Sequence, residues 1–154
     1  MRDWDAIVEI AERHPEAFLR GFFDAEGSVG VAVGSTLYIS VSASNTDLRL
    51  LRFVGKLLER CGIRPKIYLA VRKGKRYVIE GRVTHTNKDL YRIIFERIEY
   101  LTRFASRIGF AIPRKMRKLE DALRIRMRYR GRRASEEWLR LYDKVNGRWV
   151  RRAR

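Results

Sequence analysis

Apolar residues at Trp4, Ile7, Val8 and Ile10 have the three-to-four spacing of a short amphipathic helix over residues 3–13. His14-Pro15 ends it, and Pro15 suits the first turn of a second helix over 15–25, where its missing N–H costs nothing. The period then falls to two. Residues 28–33 and 37–43 alternate and read as strands joined at Gly34-Ser35. Asn45-Thr46-Asp47-Leu48 opens a helix to about Cys61, closed by Gly62. Residues 66–71 and 76–84 predict a second hairpin around Lys73-Gly74-Lys75, and Asn87-Lys88-Asp89-Leu90 opens another helix to about Tyr100. The halves echo each other, each a hairpin followed by Asn-x-Asp-Leu and an amphipathic helix. The order αββαββα on one antiparallel sheet makes an α+β fold.

Strand parity divides the sheet into two faces. Val29, Val31, Val33, Leu37, Ile39, Val41 and Ala43 point toward the helices, whereas Ser28, Gly30, Ala32, Tyr38, Ser40 and Ser42 point away. In the second hairpin Ile67, Leu69, Val71, Tyr77, Ile79 and Val83 face in. Lys66, Tyr68, Arg72, Arg76, Val78, Glu80, Arg82 and Thr84 face out. An ordinary half-solvated sheet alternates in the same way, so parity alone does not name a partner.

Charge narrows the choice. The 154 residues carry 35 Lys+Arg against 18 Asp+Glu, a net charge of +17. A domain this basic calls for a polyanion, and nucleic acid is the default. The outward set is small, polar and cationic, suited to a major groove where arginine takes guanine edges and Glu80 accepts from cytosine. Beyond Pro113 the chain changes character: residues 114–154 hold 16 Lys+Arg and five Asp+Glu. Leu119, Leu123, Ile125 and Met127, then Trp138, Leu139, Leu141 and Tyr142, predict two helices parted near Gly131. Residues 1–113 thus form a core and 114–154 a basic helical extension packed on the same domain, its arginines directed at phosphates. No run of 18 apolar residues exists for a membrane span, and the acids of the first 15 residues do not fit a signal or transit peptide. A lone cysteine, Cys61, fits an intracellular protein and reads as a core residue at a helix end. The absence of glutamine and the few asparagines, beside abundant arginine, form a thermophile pattern, expected of a prokaryotic cytoplasm such as that of a thermophilic archaeon.

The chemistry is concentrated in residues 18–27, FLRGFFDAEG. Asp24 and Glu26 sit at the C-terminus of an apolar helix, against the negative end of its dipole. Two carboxylates there imply that a cation is expected. His14 and His85 are too few and too scattered for a zinc or other histidine-based metal site.

This string resembles the motif of the LAGLIDADG homing endonucleases. Leu19, Gly21, Asp24, Ala25 and Gly27 match it, Phe22 and Phe23 are apolar where the motif is apolar, Arg20 replaces alanine and Glu26 replaces the second aspartate. The resemblance covers about residues 15–118. It implies a saddle-shaped sheet lying on double-stranded DNA and Mg²⁺-dependent phosphodiester hydrolysis, with Mn²⁺ or Ca²⁺ as alternative cations. Glu26 and the Ala25 carbonyl would hold the metal, while Asp24 would cap and position the turn. Lys115, or failing it Lys118, would orient the hydrolytic water. The family also places a polar side chain near the end of the second strand, here Ser44 or Asn45, although Asn45 reads better as a helix cap. One motif per chain implies a homodimer, its interface drawn from Leu19, Gly21, Phe22 and Ala25, cutting a long pseudo-palindromic site. Expected DNA contacts are Ser28, Tyr38, Ser40, Ser42, Lys66, Tyr68, Arg72, Lys73, Lys75, Arg76, Glu80, Arg82 and Thr84. The alternative is a non-cleaving nucleic-acid binder on this scaffold, an intron-splicing maturase or a transcriptional regulator.

Overall fold

The computed structural model describes residues 3–74, 76–79, 81–85 and 88–153, without the side chains of 77–79 and 83–85. Helix α1 (Trp4–Arg13) meets α2 (Pro15–Glu26) at His14, with Pro15 in the first turn of α2 as expected. Strands β1 (Gly27–Val33) and β2 (Leu37–Asn45) follow, and then α3 (Leu48–Arg60). Asp47, not Asn45, is the N-cap of α3: its carboxylate accepts from the Leu50 amide at 3.2 Å, and Asn45 Oδ1 accepts from the Asp47 amide at 2.8 Å. The asparagine therefore orients the capping residue.

The second half departs from the expected order. Strand β3 (Lys66–Val71) is followed by β4 (Arg76–Ile79) and β5 (Arg82–His85), which pair with each other as a separate two-stranded sheet. Gly81, with φ +76°, supplies the left-handed residue that turns β4 into β5. The partner of β3 is β6 (Leu90–Phe95), a stretch expected to be helical. Its residues are β-branched or aromatic in four of six positions, and it is the central strand that closes the sheet order β1-β2-β6-β3. Every pairing is antiparallel. The αββαββα core is thus α2, β1, β2, α3, β3, β6 and α4 (Ile98–Arg103), with the β4–β5 hairpin inserted. Helix α4 continues into a π-helical turn over Phe104–Ile108.

Alternation in β1 and β2 is as the sequence predicts: Val29, Val31, Leu37, Ile39, Val41 and Ala43 are buried against the helices. Val33, at the strand end, is exposed. In β3 a register shift between Leu69 and Val71 breaks the parity, and Leu69 is exposed. Arg76, Val78, Arg82 and Thr84 lie on the separate β4–β5 sheet and not on the four-stranded one.

Residues beyond 113 form α5 (Pro113–Arg128), α6 (Arg132–Leu141) and, in place of further helix, a hairpin of β7 (Tyr142–Val145) and β8 (Arg148–Arg151). Asn146 and Gly147 take φ +50° and +77° at its turn. Such a pair of left-handed residues is what an Asn-Gly hairpin turn requires. These elements share one core with the rest. Trp138 is fully buried and stacks on Tyr142 at 3.9 Å, with Trp149 edge-on at 5.9 Å. Buried Asp121 on α5 accepts from Tyr142 Oη at 2.6 Å and pairs with Arg124 and Arg151 at 3.0 and 3.1 Å. Ser135 Oγ donates to the Thr36 carbonyl at 2.8 Å and accepts from the Gly34 amide, docking α6 on the β1–β2 turn.

Truncating Trp138 removes the largest side chain of this junction. Trp138→Ala is expected to lower unfolding free energy by about 3–5 kcal/mol in chemical denaturation. A loss under about 1 kcal/mol would show that the extension folds independently of the core.

Candidate active site and nucleic-acid face

The motif helix α2 is anchored through Phe23. Its buried ring meets Phe22 and Phe104 edge-on at 5.2 Å and Phe95 at 6.0 Å. The next residue, Asp24, is half-buried and turns toward the start of α5. Its Oδ1 accepts from the Ala111 amide at 3.0 Å and the Ile112 amide at 3.4 Å, the two residues leading into that helix. A carboxylate there faces the positive end of the α5 dipole. Asp24 is therefore stabilised by the entry to a second helix.

Lys115, in the first turn of α5, reaches back the other way. Its Nζ donates to the Asp24 and Gly27 carbonyls, each at 2.7 Å, and to the Phe23 carbonyl at 3.3 Å. The Asp24 carbonyl lies in the last turn of α2, where intrahelical donors run out, and Gly27 is the first residue of β1, whereas the Phe23 carbonyl also accepts from the Gly27 amide. Burial holds the Lys115 ammonium below the usual lysine range; Asp24 opposes this shift, Arg114 adds to it and Glu26 opposes it. All three N–H bonds of the ammonium have backbone acceptors. Lys115 thus sits beside the motif, as expected, and its geometry is that of a clamp on the motif turn. Gly27 has to be small: a Cβ would stand 2.7 Å from the Phe23 carbonyl oxygen.

Glu26 is left over. It is exposed and makes no hydrogen bond or ion pair with a described residue. Ala25 and Glu26 are both exposed at the end of α2, a backbone carbonyl beside a carboxylate, and both are hard oxygen donors. Such a set suits Mg²⁺, which takes one or two carboxylates and completes its shell with phosphate and water. No group of three or more His, Cys, Asp and Glu side chains able to hold a metal exists among the described residues.

Ala17, Gly21 and Ala25 are exposed at intervals of four along α2, one face of the helix. Leu19 is fully buried and Phe22 nearly so. The expectation that Leu19 forms an interface is corrected, because this chain's own core covers it, and Phe22 offers little surface.

On the outward sheet face the structure brings together Ser28, Tyr38, Ser40, Ser42, Lys66 and Tyr68, each exposed or half-exposed. It adds Ser44, Arg92 and Ile94, of which Arg92 and Ile94 lay in the segment read as helix. Arg92 lies opposite Ser44 on one side and Tyr68 on the other. Its guanidinium donates to Ser44 Oγ at 3.3 Å and to Tyr68 Oη at 3.4 Å. The alternation Tyr91, Ile93, Phe95 against Arg92, Ile94 was the available signal. Arg72 and Lys73 are exposed in the β3–β4 connection, and the Lys73 amide donates to the Asp89 carboxylate. Arg76 and Arg82 are exposed on the separate hairpin. Lys75, Glu80, Asn87 and the Thr84 side chain lie outside the described residues.

Comparison with known proteins places this arrangement. The profile of the LAGLIDADG-like domain family matches residues 14–109, from the start of the motif helix to the end of the π-helical turn. The chain belongs to the LAGLIDADG-like domain family. It is 35% identical over 119 residues to an uncharacterized protein of Methanocaldococcus jannaschii, covering 77% of this chain and 41% of that one. The homing endonuclease I-ApeI of Aeropyrum pernix is 30% identical over 107 residues, 69% of this chain and 40% of the relative. A DNA polymerase of Thermococcus litoralis is 38% identical over 119 residues, only 6% of its own length. The chain therefore spans about two fifths of the first and second of these relatives. Among solved structures, the archaeal intron-encoded homing endonuclease I-Vdi141I complexed with DNA superposes with TM-score 0.47 and 16% identity, over 76% of this chain and 71% of that one.

If α2 and α5 cap each other, their effects on stability are coupled. Asp24→Ala and Lys115→Met should each cost about 1–2 kcal/mol in this partly exposed site. The double variant should cost less than the sum by at least about 0.5 kcal/mol in a denaturation cycle. Additive losses would contradict mutual capping.

Proposed function

We propose that this LAGLIDADG-like chain is a divalent-metal-dependent DNA endonuclease that cuts both strands of a long, near-palindromic site as a pair of copies. The single observation that carries the reading is the unpaired, exposed Glu26 at the end of a motif helix whose other polar groups are all engaged. The free carboxylate favours cleavage over a non-cleaving nucleic-acid binder, which has no use for it.

Glu26 and the neighbouring Ala25 carbonyl would hold Mg²⁺, which when bound supplies charge neutralisation at the attacking and leaving oxygens of the phosphodiester. Lys115 fixes the position of the Asp24–Gly27 turn and so of Glu26. In this reading Lys115 also lies close enough to the motif turn to orient the hydrolytic water. Arg92, flanked by Ser44 and Tyr68, presents its remaining N–H donors to the groove, where a guanine edge takes two of them.

One chain provides too few donors to complete a metal shell, so phosphate, water and a second motif helix must supply the others. The stripe of Ala17, Gly21 and Ala25 permits close approach of two such helices. A second copy of this chain related by a two-fold axis gives two equivalent sites, one for each strand.

Glu26→Gln is expected to abolish Mg²⁺-dependent cleavage while duplex affinity stays within about tenfold, since phosphate contacts are untouched. Cleavage at the unsubstituted rate would contradict the assignment. Gly21→Leu separates assembly from folding. A Cβ at Gly21 meets nothing within 4 Å in one copy, and replacing a helical glycine adds up to about 1 kcal/mol of helix stability. The variant should melt no lower than the parent yet sediment as a monomer and lose double-strand cleavage. A dimeric, active Gly21→Leu protein would sink the proposed packing.

A further inference from the structure

A cleft of about 460 Å³ opens at the free edge of β1, between the first turns of α5 and the β7–β8 hairpin. It lies largely beyond residues 14–109, the part matched by the family. Its walls carry Arg114, Lys118, Lys144 and Arg148, with Ser28 and Gly30 of the outward sheet face at its floor. The hairpin is fixed there by Trp149, whose Nε1 donates to the Val31 carbonyl at 2.7 Å on the β1 edge. Lys144 stands over the same indole at 5.1 Å.

Several cations of the C-terminal elements and the core have carboxylate partners. Arg124 and Arg151 share Asp121, Arg107 takes Glu16, and Arg152 takes Asp143, the residue adjoining Lys144. None of Arg114, Lys118, Lys144 and Arg148 has a carboxylate partner among the described residues. Burial pulls the Lys118 ammonium below the usual lysine range, and Arg114 and Lys144 pull it the same way, with no acid opposing them. A half-buried lysine facing two further cations is a cost to folding that an anion would offset.

We propose that this cleft is a phosphate clamp, in which Lys118 and Lys144 grip one backbone phosphodiester of duplex DNA where it leaves the sheet past β1. The inference rests on the DNA-binding reading above and assigns the β7–β8 hairpin to it. Sequence is not read here; the clamp sets the lie of the flanking duplex, as backbone contacts do. It requires the hairpin to stay docked through Trp149, which links the structural role of the extension to binding.

The test is the salt dependence of binding of the full chain to a 25-base-pair duplex of arbitrary sequence. Lys118→Gln/Lys144→Gln should make the slope of log affinity against log salt shallower by about 0.9 for each copy bound. Arg52→Gln/Lys56→Gln, which removes the same charge from the exposed side of α3, should leave the slope unchanged. Both double variants should melt at the parental temperature or above. If the clamp variant itself unfolds, Lys144→Gln alone, at an exposed position of β7, provides the same readout at about half the effect. Equal slopes for the two double variants would overturn the clamp. A parent chain without any duplex affinity at low salt would overturn the functional reading and the clamp together.

Discussion

The site depends on a reciprocal exchange between two helix ends. The C-terminus of α2 concentrates unsatisfied carbonyls, and the N-terminus of α5 concentrates unsatisfied amides. Asp24 crosses from the first to accept from the Ala111 and Ile112 amides at the entry to the second, and Lys115 crosses back to the carbonyls of Asp24 and Gly27. Each charge lies at the pole of opposite sign. Without this exchange, a carboxylate and an ammonium would both sit at helix poles that repel them. With it, the turn that carries Glu26 is held in place by contacts within the chain.

Phe23 supports the exchange from below, since its ring is locked among Phe22, Phe95 and Phe104. The motif thus divides its labour along four consecutive residues. Phe23 anchors, Asp24 holds the entry to α5, and Ala25 and Glu26 are exposed. The same economy shows in the distribution of charge. Acids pair some of the arginines that stitch the C-terminal elements to the core, Asp121 with Arg124 and Arg151 and Asp143 with Arg152, whereas Arg114, Lys118, Lys144 and Arg148 beside β1 have no carboxylate partner among the described residues.

Much of this was legible in the sequence where one periodicity dominated. The helices α1 to α3, the β1–β2 hairpin and the buried valines of β1 follow from spacing alone. Strand β6 was not legible because the repeated Asn-x-Asp-Leu suggested a helix start. In the structure the second copy precedes a strand, and Asp89 serves the Lys73 amide instead. Arg92 was lost with it. The β7–β8 hairpin was hidden by its charge, although Asn146-Gly147 is the strongest short turn signal in the chain. Two acids at one helix end invited a common explanation; in the structure they differ, Asp24 accepting from the Ala111 and Ile112 amides and Glu26 exposed without a hydrogen bond to a described residue. Leu19 matched the motif and still belongs to the core, since motif identity records helix packing on both sides.

The central claim is that a free Glu26 on this scaffold makes a site-specific nuclease. It is tested most directly by incubating the protein with Mg²⁺ and a plasmid pool carrying a long randomised insert, then sequencing the ends produced. The account predicts recurrent double-strand cuts at one long sequence with approximate two-fold symmetry, absent when the metal is chelated. No cleavage, or cleavage indifferent to sequence and symmetry, would contradict it.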